Sequence, residues 1–185
     1  FKIGVNNHEA MYQATEKLIQ SERTDILLLC GKNIGVTADR INGHIQALAK
    51  YNIAFDEKNI IYCSYEKTLD EMDLTLAQNI KELADRGTLP NAIIGTTDTL
   101  TTRILGVLSK LEITVPEQIA VIGFSNTTIP YSLNPPLSTI EQPIHEMAKL
   151  ALDKLLLLME NTASCLTEEI LLEPNITLRK STQVL

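Results

Sequence analysis

Small polar side chains stand directly after two apolar segments of this 185-residue chain. A Thr-Thr-Asp turn (96–98) follows the segment 91–95, and a Phe-Ser-Asn turn (124–126) follows the segment 118–123. Hydroxyl, amide and carboxylate groups donate and accept hydrogen bonds, so they suit recognition of a polar ligand. A doubly wound parallel sheet binds its ligands at the carboxyl ends of its strands. The pattern therefore predicts a binding crevice and requires no catalytic residue.

Arg40 is the strongest single candidate for ligand contact. It lies near the start of a predicted helix 37–51, after the loop 31–37 and three residues before Gly43. Its guanidinium offers a planar fork of donors that can hold two vicinal hydroxyls or an anion. The alternative is a surface arginine that pairs with Asp39 or another neighbour.

Other candidate residues have weaker patterns. Tyr65 and Tyr62 each offer a ring on which an effector could stack, with core or loop packing as the alternative. Asp98 fits a helix N-cap better than a ligand contact. His44, beside Gly43, fits a solvated helix position better than a place in the cleft.

No enzyme, cofactor or metal motif is present. The sequence lacks GxGxxG, GxSxG, HExxH and CxxC, and the three histidines share no metal-ligand spacing. A small doubly wound enzyme would need a nucleophile, a base or a metal set, and none is found. We therefore predict no cofactor, no metal and no catalysis.

Composition restricts the partners of this segment. Its net charge is −7 and its pI is about 5.0, and it has no tryptophan, which argues against direct nucleic-acid binding. Cys30, Cys63 and Cys165 are widely spaced and fit reduced thiols of a cytoplasmic protein. No apolar run reaches the roughly 18 residues of a membrane span. The chain starts in mid-pattern at Phe1, so we expect a fragment of a longer protein.

Strand and helix candidates alternate strictly along the chain. The strand candidates are 2–5, 25–30, 59–63, 92–95 and 119–123, and the helix candidates are 9–20, 37–51, 70–86, 99–111 and 144–160. This order predicts an α/β fold whose parallel sheet has helices on both faces. Asn7 and Asp98 are expected N-caps, and Gly87 is an expected helix C-cap. The apolar stripe of helix 144–160 predicts a face turned to a core, and 168–172 and 175–178 are short strand candidates.

Six motifs follow in the order found in lactose-repressor (LacI-type) transcription regulators. The chain resembles that family in VNNHEAMYQATEKLI, ADRINGHIQAL, IIGTTD, VPEQIAVIGFSN, NPPLSTIEQP and LEPNITLRKST. The resemblance covers nearly the whole chain and implies a periplasmic-binding-protein-like fold of two Rossmann-like lobes. Residues 1–24 would end a partial first lobe, 25–124 would form a nearly complete second lobe, and 125–185 would hold inter-lobe crossings, a return helix and a tail.

The resemblance also implies the function. The chain would be the effector-sensing and dimerising part of a cytoplasmic transcription regulator, with a small sugar-like ligand bound between the lobes. Its partners would be that effector, a second copy of the chain, and operator DNA held by an N-terminal domain that has no counterpart here. The alternative is an extracytoplasmic sugar-binding protein of the same bilobed fold, against which the free cysteines argue.

The resemblance places effector contacts at Arg40, Thr97, Asp98, Ser125 and Asn126. Thr97 replaces the family's asparagine, and Ser125 and Asn126 replace the two acids of its GFDD motif. A serine hydroxyl lacks the charge and the reach of a carboxylate. We therefore hypothesise an anionic effector, such as a sugar phosphate or a sugar acid. The alternative is that the loop 125–131 has drifted or that ligand recognition is lost.

Overall fold

The alternating pattern folds into two sheets and five helices. The structure, a computed structural model, describes residues 1–64, 66, 68–125, 132–159 and 168–183. The strands are β1 (Lys2–Val5), β2 (Ile26–Cys30), β3 (Ile60–Tyr62), β4 (Ala92–Gly95), β5 (Ala120–Ser125), β6 (Ser138–Glu141), β7 (Glu169–Leu172) and β8 (Asn175–Thr177). The helices are α1 (Asn7–Gln20), α2 (Val36–Lys50), α3 (Leu69–Asp85), α4 (Asp98–Lys110) and α5 (Ile144–Met159).

The larger sheet has six strands in the order β3-β2-β4-β5-β6-β8. The first five run parallel, and β8 pairs antiparallel with β6. Every residue of β2 and β4 is buried, as expected for parallel strands covered on both faces. Residues of α1 and α2 join one buried cluster and residues of α3 and α4 join another, which confirms the prediction of helices on both faces.

The smaller sheet consists of β1 and β7 in parallel register, and α5 lies next to β1. None of the described residues of α5 is buried. Within the part of the chain that the structure describes, its apolar stripe is therefore not turned to a core, contrary to the expectation from its spacing. Leu152, Leu155 and Leu156 remain about half exposed.

One strand of the larger sheet was not predicted. Residues 138–141 (Ser-Thr-Ile-Glu) form β6, which lies between β5 and β8. The segment is short and begins with two hydroxyl side chains, so its sequence lacks the apolar run of the other buried strands. Ser138 and Thr139 are nevertheless fully buried.

The C-terminal residues 179–182, here called the C-terminal latch, are bonded to β5, to β6 and to the residue before β6. Ser181 Oγ donates to the Val121 carbonyl at 2.6 Å and accepts from the Ser138 amide at 2.8 Å. Arg179 donates to the Leu137 carbonyl at 2.6 Å and to Glu141 at 3.4 Å. This part of the LRKST motif therefore has a structural role, since it satisfies buried backbone groups.

The three ranges predicted for the lobes and their crossings, 1–24, 25–124 and 125–185, each contribute to the larger sheet or to the helices that cover it. Helix α1, within 1–24, packs against α2 and contributes Met11 and Leu18 to a buried cluster of the larger sheet. Strands β6 and β8, within 125–185, extend the same sheet. The lobe boundaries therefore stay a prediction.

Candidate functional site

Arg40 lies at the carboxyl edge of the larger sheet. Its Nε donates to Asn7 Oδ1 at 2.9 Å, and a terminal nitrogen donates to the Thr96 carbonyl. The guanidinium carbon lies 3.5 Å from the centroid of the Phe124 ring, within the range of a cation–π contact. Because Arg40 is only 8% exposed, the alternative of a surface arginine is wrong.

Two local features position Arg40 at the carboxyl edge of the sheet. Asn7 is the first residue of α1, and its Nδ2 donates to the Val5 carbonyl at 2.9 Å. One turn after Arg40, a side chain at Gly43 would put its Cβ 2.0 Å from the His8 carbonyl oxygen, so α1 and α2 touch at the backbone. The glycine therefore permits the approach that lets Asn7 reach Arg40.

Thr97 and Asp98 lie where β4 leads into α4. Thr97 is the N-cap, since its hydroxyl accepts from the Leu100 amide at 3.3 Å, and Asp98 is the first helical residue. The expectation that Asp98 is the cap is therefore wrong by one residue. The same shift occurs in α1, where Asn6 rather than Asn7 is the cap. Asp98 is 8% exposed, and its carboxylate lies against Gly123 of the neighbouring strand.

Ser125 ends β5 with a φ of +119°. That conformation costs a non-glycine residue about 1–3 kcal/mol and is typical of functional sites. Because β4 and β5 are parallel neighbours, their carboxyl ends lie at the same edge of the sheet. Arg40 contacts Thr96, directly after β4, and Phe124, near the end of β5. The structure thus brings Arg40, Thr97, Asp98 and Ser125 to one edge of the sheet.

Two of the predicted site residues, Asn126 and Tyr65, lie outside the described residues. Tyr62, the alternative stacking ring, is 43% exposed and belongs to the edge strand β3. Sequence reasoning did not identify Asn7 and Phe124 as neighbours of Arg40. The signal available for Asn7 was its place directly after a strand, which is also where the other polar candidates stand.

His44 is not solvated, contrary to the expectation. It is 1% exposed, and its Nδ1 forms a 2.9 Å hydrogen bond with the Thr15 hydroxyl between α1 and α2. Burial lowers the pKa of His44 to about 4, because desolvation disfavours the charged imidazole. His44 therefore belongs to the helix contact and not to the cleft.

Cys30 and Cys63, the cysteines within the described residues, are both buried. Cys30 belongs to the cluster on one face of the larger sheet and Cys63 to the cluster on the other face. Burial raises the pKa of the Cys30 thiol to about 12, so it remains protonated and unreactive near neutral pH. Cys165 lies outside the described residues.

Within the described ranges, no group of three or more His, Cys, Asp or Glu side chains could hold a metal ion. In that same part of the chain, no helix has the length and apolarity to cross a lipid bilayer.

Comparison with known proteins assigns most of the chain to one family. Residues 15–182 match the family described as periplasmic binding protein-like domain. The chain is 33% identical over 159 residues to the HTH-type transcriptional repressor PurR of Vibrio campbellii, with 84% of this chain and 45% of the relative covered. It is 30% identical over 160 residues to the regulator GalR of Escherichia coli, with 86% and 45% covered. The chain thus spans about half the length of these relatives.

Solved structures agree with this assignment. The transcription regulator CcpA of Lactococcus lactis has a TM-score of 0.83 at 26% identity, over 98% of this chain and 64% of that one. A complex of the regulator CelR with cellobiose has a TM-score of 0.83 at 24% identity, over 97% and 53%. The first likeness supports the family and the second supports the fold.

Proposed function

This chain belongs to the periplasmic binding protein-like domain family, as the effector-binding region of a LacI-type transcription regulator, and from that premise we propose that it senses a small polar effector at the edge formed by Arg40, Thr97, Asp98 and Ser125. It acts by binding and not by catalysis, like the regulators of its family. Effector binding would change the relative population of states that differ in DNA affinity. An extracytoplasmic sugar-binding protein is not favoured, because the relatives are transcription regulators.

The observation that carries the proposal is the setting of Arg40. A buried guanidinium at the carboxyl edge of a parallel sheet stands where α/β folds bind ligands. Asn7, Thr96 and Phe124 hold it in one orientation. Because a fixed fork of donors loses little entropy on binding, it suits a bidentate acceptor.

We propose that the effector is a sugar-like molecule that carries an anion. Asn7, Thr96 and Phe124 contact Arg40 through an amide, a carbonyl and an aromatic ring, none of which carries a charge. Ser125 stands at the end of β5, where the resembled family has an acid. A phosphate or carboxylate would form a stronger hydrogen bond with Arg40 than the hydroxyl of a neutral sugar, because both partners are then charged. Asn126 and Tyr65 are proposed as further contacts.

The remaining partners follow from the family. We propose that the protein is a cytoplasmic homodimer and that operator DNA is held by a domain outside this chain. The net charge of −7 is consistent with another region carrying the basic surface that DNA requires. A residue division of 1–24, 25–124 and 125–185 between the two lobes and their crossings is part of the same proposal.

The proposal is tested by thermal shift of the protein at its full natural length. The ligands are neutral sugars, sugar phosphates, sugar acids and nucleobases. A ligand present at a hundred times its dissociation constant stabilises by about 2.7 kcal/mol, which raises the melting temperature measurably. A response confined to anionic sugars supports the proposal. Tighter binding of a neutral sugar than of its phosphate or acid form contradicts the anionic class, and no response to any ligand contradicts small-effector sensing.

Substitution of Arg40 tests the site itself. Arg40→Ala is expected to weaken binding of the responding ligand about 30-fold, because a charge-assisted hydrogen bond worth about 2 kcal/mol is lost. Isothermal titration calorimetry measures the change. Arg86→Ala is the matched control, since Arg86 is a largely exposed arginine that pairs with Glu82 at the end of α3. An Arg40→Ala affinity within twofold of wild type refutes the assignment.

A further inference from the structure

The contacts of Arg40 divide between its edge and its face. Asn7 Oδ1 accepts from Nε, the Thr96 carbonyl accepts from a terminal nitrogen, and the Phe124 ring covers one face. The three contacts come from α1, from the turn after β4 and from β5. A planar group held at two points of its edge and on one face has a fixed plane. We infer that Asn7 and Phe124 are positioning residues that set the plane of Arg40 for the effector.

Asn7 is itself held in one orientation. Its Nδ2 donates to the Val5 carbonyl at 2.9 Å, and its Oδ1 therefore points to Arg40. An alanine here would lose both bonds. An aspartate would keep an oxygen for Arg40 Nε but would add a negative charge beside the guanidinium. The asparagine therefore orients Arg40 without adding a negative charge of its own, which suits an anionic effector.

Asn7 also lies at the joint between the two sheets. It comes two residues after Val5, the end of β1, and the preceding Asn6 amide donates to the Leu172 carbonyl of β7 at 2.9 Å. Phe124, by contrast, is fully buried in the larger sheet. Arg40 is therefore held between Phe124 of the larger sheet and Asn7, the first residue of α1.

This inference rests on the proposed function for its purpose, but the orientation of Arg40 can be measured without any ligand. Nuclear magnetic resonance of the Arg40 Nε–Hε group reports both contacts. Stacking on Phe124 shifts the Hε resonance upfield through the ring current, and the bond to Asn7 slows its exchange with water. The protein at full natural length is compared as wild type, Asn7→Ala, Asn7→Asp and Phe124→Leu.

We expect Asn7→Ala to speed Arg40 Hε exchange at least tenfold and Asn7→Asp to restore slow exchange. Phe124→Leu should abolish the upfield shift. Asn6→Asp is the matched control, because it adds the same charge one residue away and keeps an oxygen for the helix cap. The inference is overturned if Arg40 Hε exchanges equally in wild type and Asn7→Ala, or if its shift survives in Phe124→Leu. If the alanine variant unfolds, the resonance shift in Phe124→Leu still tests the inference.

Affinity then separates orientation from charge. For an anionic sugar that stabilises the wild type, Asn7→Asp is expected to weaken binding at least tenfold, whereas Asn6→Asp changes it less than threefold. Equal affinities of wild type and Asn7→Asp contradict the role of the uncharged amide. If no ligand of the panel binds, the proposed function fails, and the resonance measurement still decides whether Asn7 and Phe124 position Arg40.

Discussion

His44 shows how one buried side chain couples the fold to pH. It bonds to Thr15 across the contact between α1 and α2, and the Phe55 ring lies edge-on to it with centroids 6.5 Å apart. These neighbours are uncharged, so nothing among them compensates a charged imidazole. Because burial lowers the pKa of His44 to about 4, the folded state favours its neutral form.

The pH dependence follows from that direction. Between about pH 6.5 and pH 4 the unfolded chain binds a proton at His44 that the folded chain does not, so stability falls as the pH decreases. We expect the free energy of unfolding to drop by about 2 kcal/mol between pH 7 and pH 5 relative to His44→Gln. Urea unfolding at both pH values measures the difference, in which contributions of other groups cancel.

Identical pH dependence in wild type and His44→Gln would show that His44 is charged or exposed in the folded protein.

Single polar residues were the least predictable part of the sequence. Asn6 and Asn7 are both asparagine, and Thr97 and Asp98 can both cap a helix, so residue type alone does not decide which one does. The helices begin one residue earlier than two such caps suggest. Likewise, nothing in the sequence distinguishes a histidine on the solvent face from His44, because Gly43 and Ala47 bring α1 onto that face only in the folded protein.

At the scale of elements, the contact between α1 and α2 depends on a glycine, Gly43, that has no side chain. A Cβ at Gly43 would lie 2.0 Å from the His8 carbonyl oxygen and 2.9 Å from the carbonyl carbon. We expect Gly43→Ala to lower the free energy of unfolding by about 3 kcal/mol, because the helices must separate. Chemical denaturation measures the loss, and the Arg40 Hε resonance should move with it.

Gly106 is the matched helical glycine for that experiment. It lies inside α4, and a Cβ there would meet nothing within 4 Å. Gly106→Ala should therefore raise stability by about 0.5–1 kcal/mol, since alanine loses less backbone entropy in a helix. A destabilisation of similar size in both variants would contradict the close approach at Gly43.

Helices α1 to α4 end in the same way. In each, an amide two residues beyond the helical C-cap bonds back over the last turn, and the residue between adopts a positive φ. Those residues are Glu22, Asn52, Gly87 and Glu112. Gly87 confirms the predicted C-cap of α3, but the two glutamates were not recognisable, since glutamate carries no preference for this conformation.

The shared ending predicts opposite effects of two substitutions. Glu112→Gly should raise the free energy of unfolding by about 0.5–1 kcal/mol, because a left-handed conformation costs glutamate about 1 kcal/mol. Gly87→Ala should lower the free energy of unfolding by about 1 kcal/mol, because the left-handed conformation is unfavourable for alanine as well. A Cβ at Gly87 would meet no atom within 4 Å, so a steric clash does not contribute. Thermal unfolding of both variants against wild type is the measurement. Effects of equal sign would contradict the left-handed conformation at one of the two sites.

At the scale of the whole molecule, sequence periodicity predicted the helices and, apart from β6, the strands of the parallel sheet within one or two residues. Long amphipathic helices and apolar strands such as β2 and β5 carry that information locally. The partners of Arg40 could not be predicted in the same way. Asn7, Thr96 and Phe124 are far apart in sequence and meet only because β4 and β5 are neighbours and α1 crosses α2.

The motif LEPNITLRKST carries no evident physical role in the sequence, and the structure shows one. Within the C-terminal latch, Ser181 bonds to the sheet near the amino ends of β5 and β6, opposite the edge that holds Arg40. Ser181 is fully buried and bonds to three residues from 121 to 138 through its backbone and its hydroxyl. The C-terminal latch therefore bonds to the same sheet that α1 packs against. We expect the larger sheet to unfold as one cooperative unit.

Ser181→Ala tests this expectation. Removal of the hydroxyl takes one hydrogen bond from the Val121 carbonyl and one from the Ser138 amide, and both groups are buried. We expect the free energy of unfolding to fall by about 2 kcal/mol, the cost of leaving buried polar groups unsatisfied. Ser109→Ala, at an exposed position of α4, is the matched control and should stay within about 0.5 kcal/mol of wild type. Hydrogen exchange should show the loss across β2, β4 and β5 alike; a loss confined to residues near the C-terminal latch would mean that the latch frays without taking part in the cooperative unfolding of the sheet.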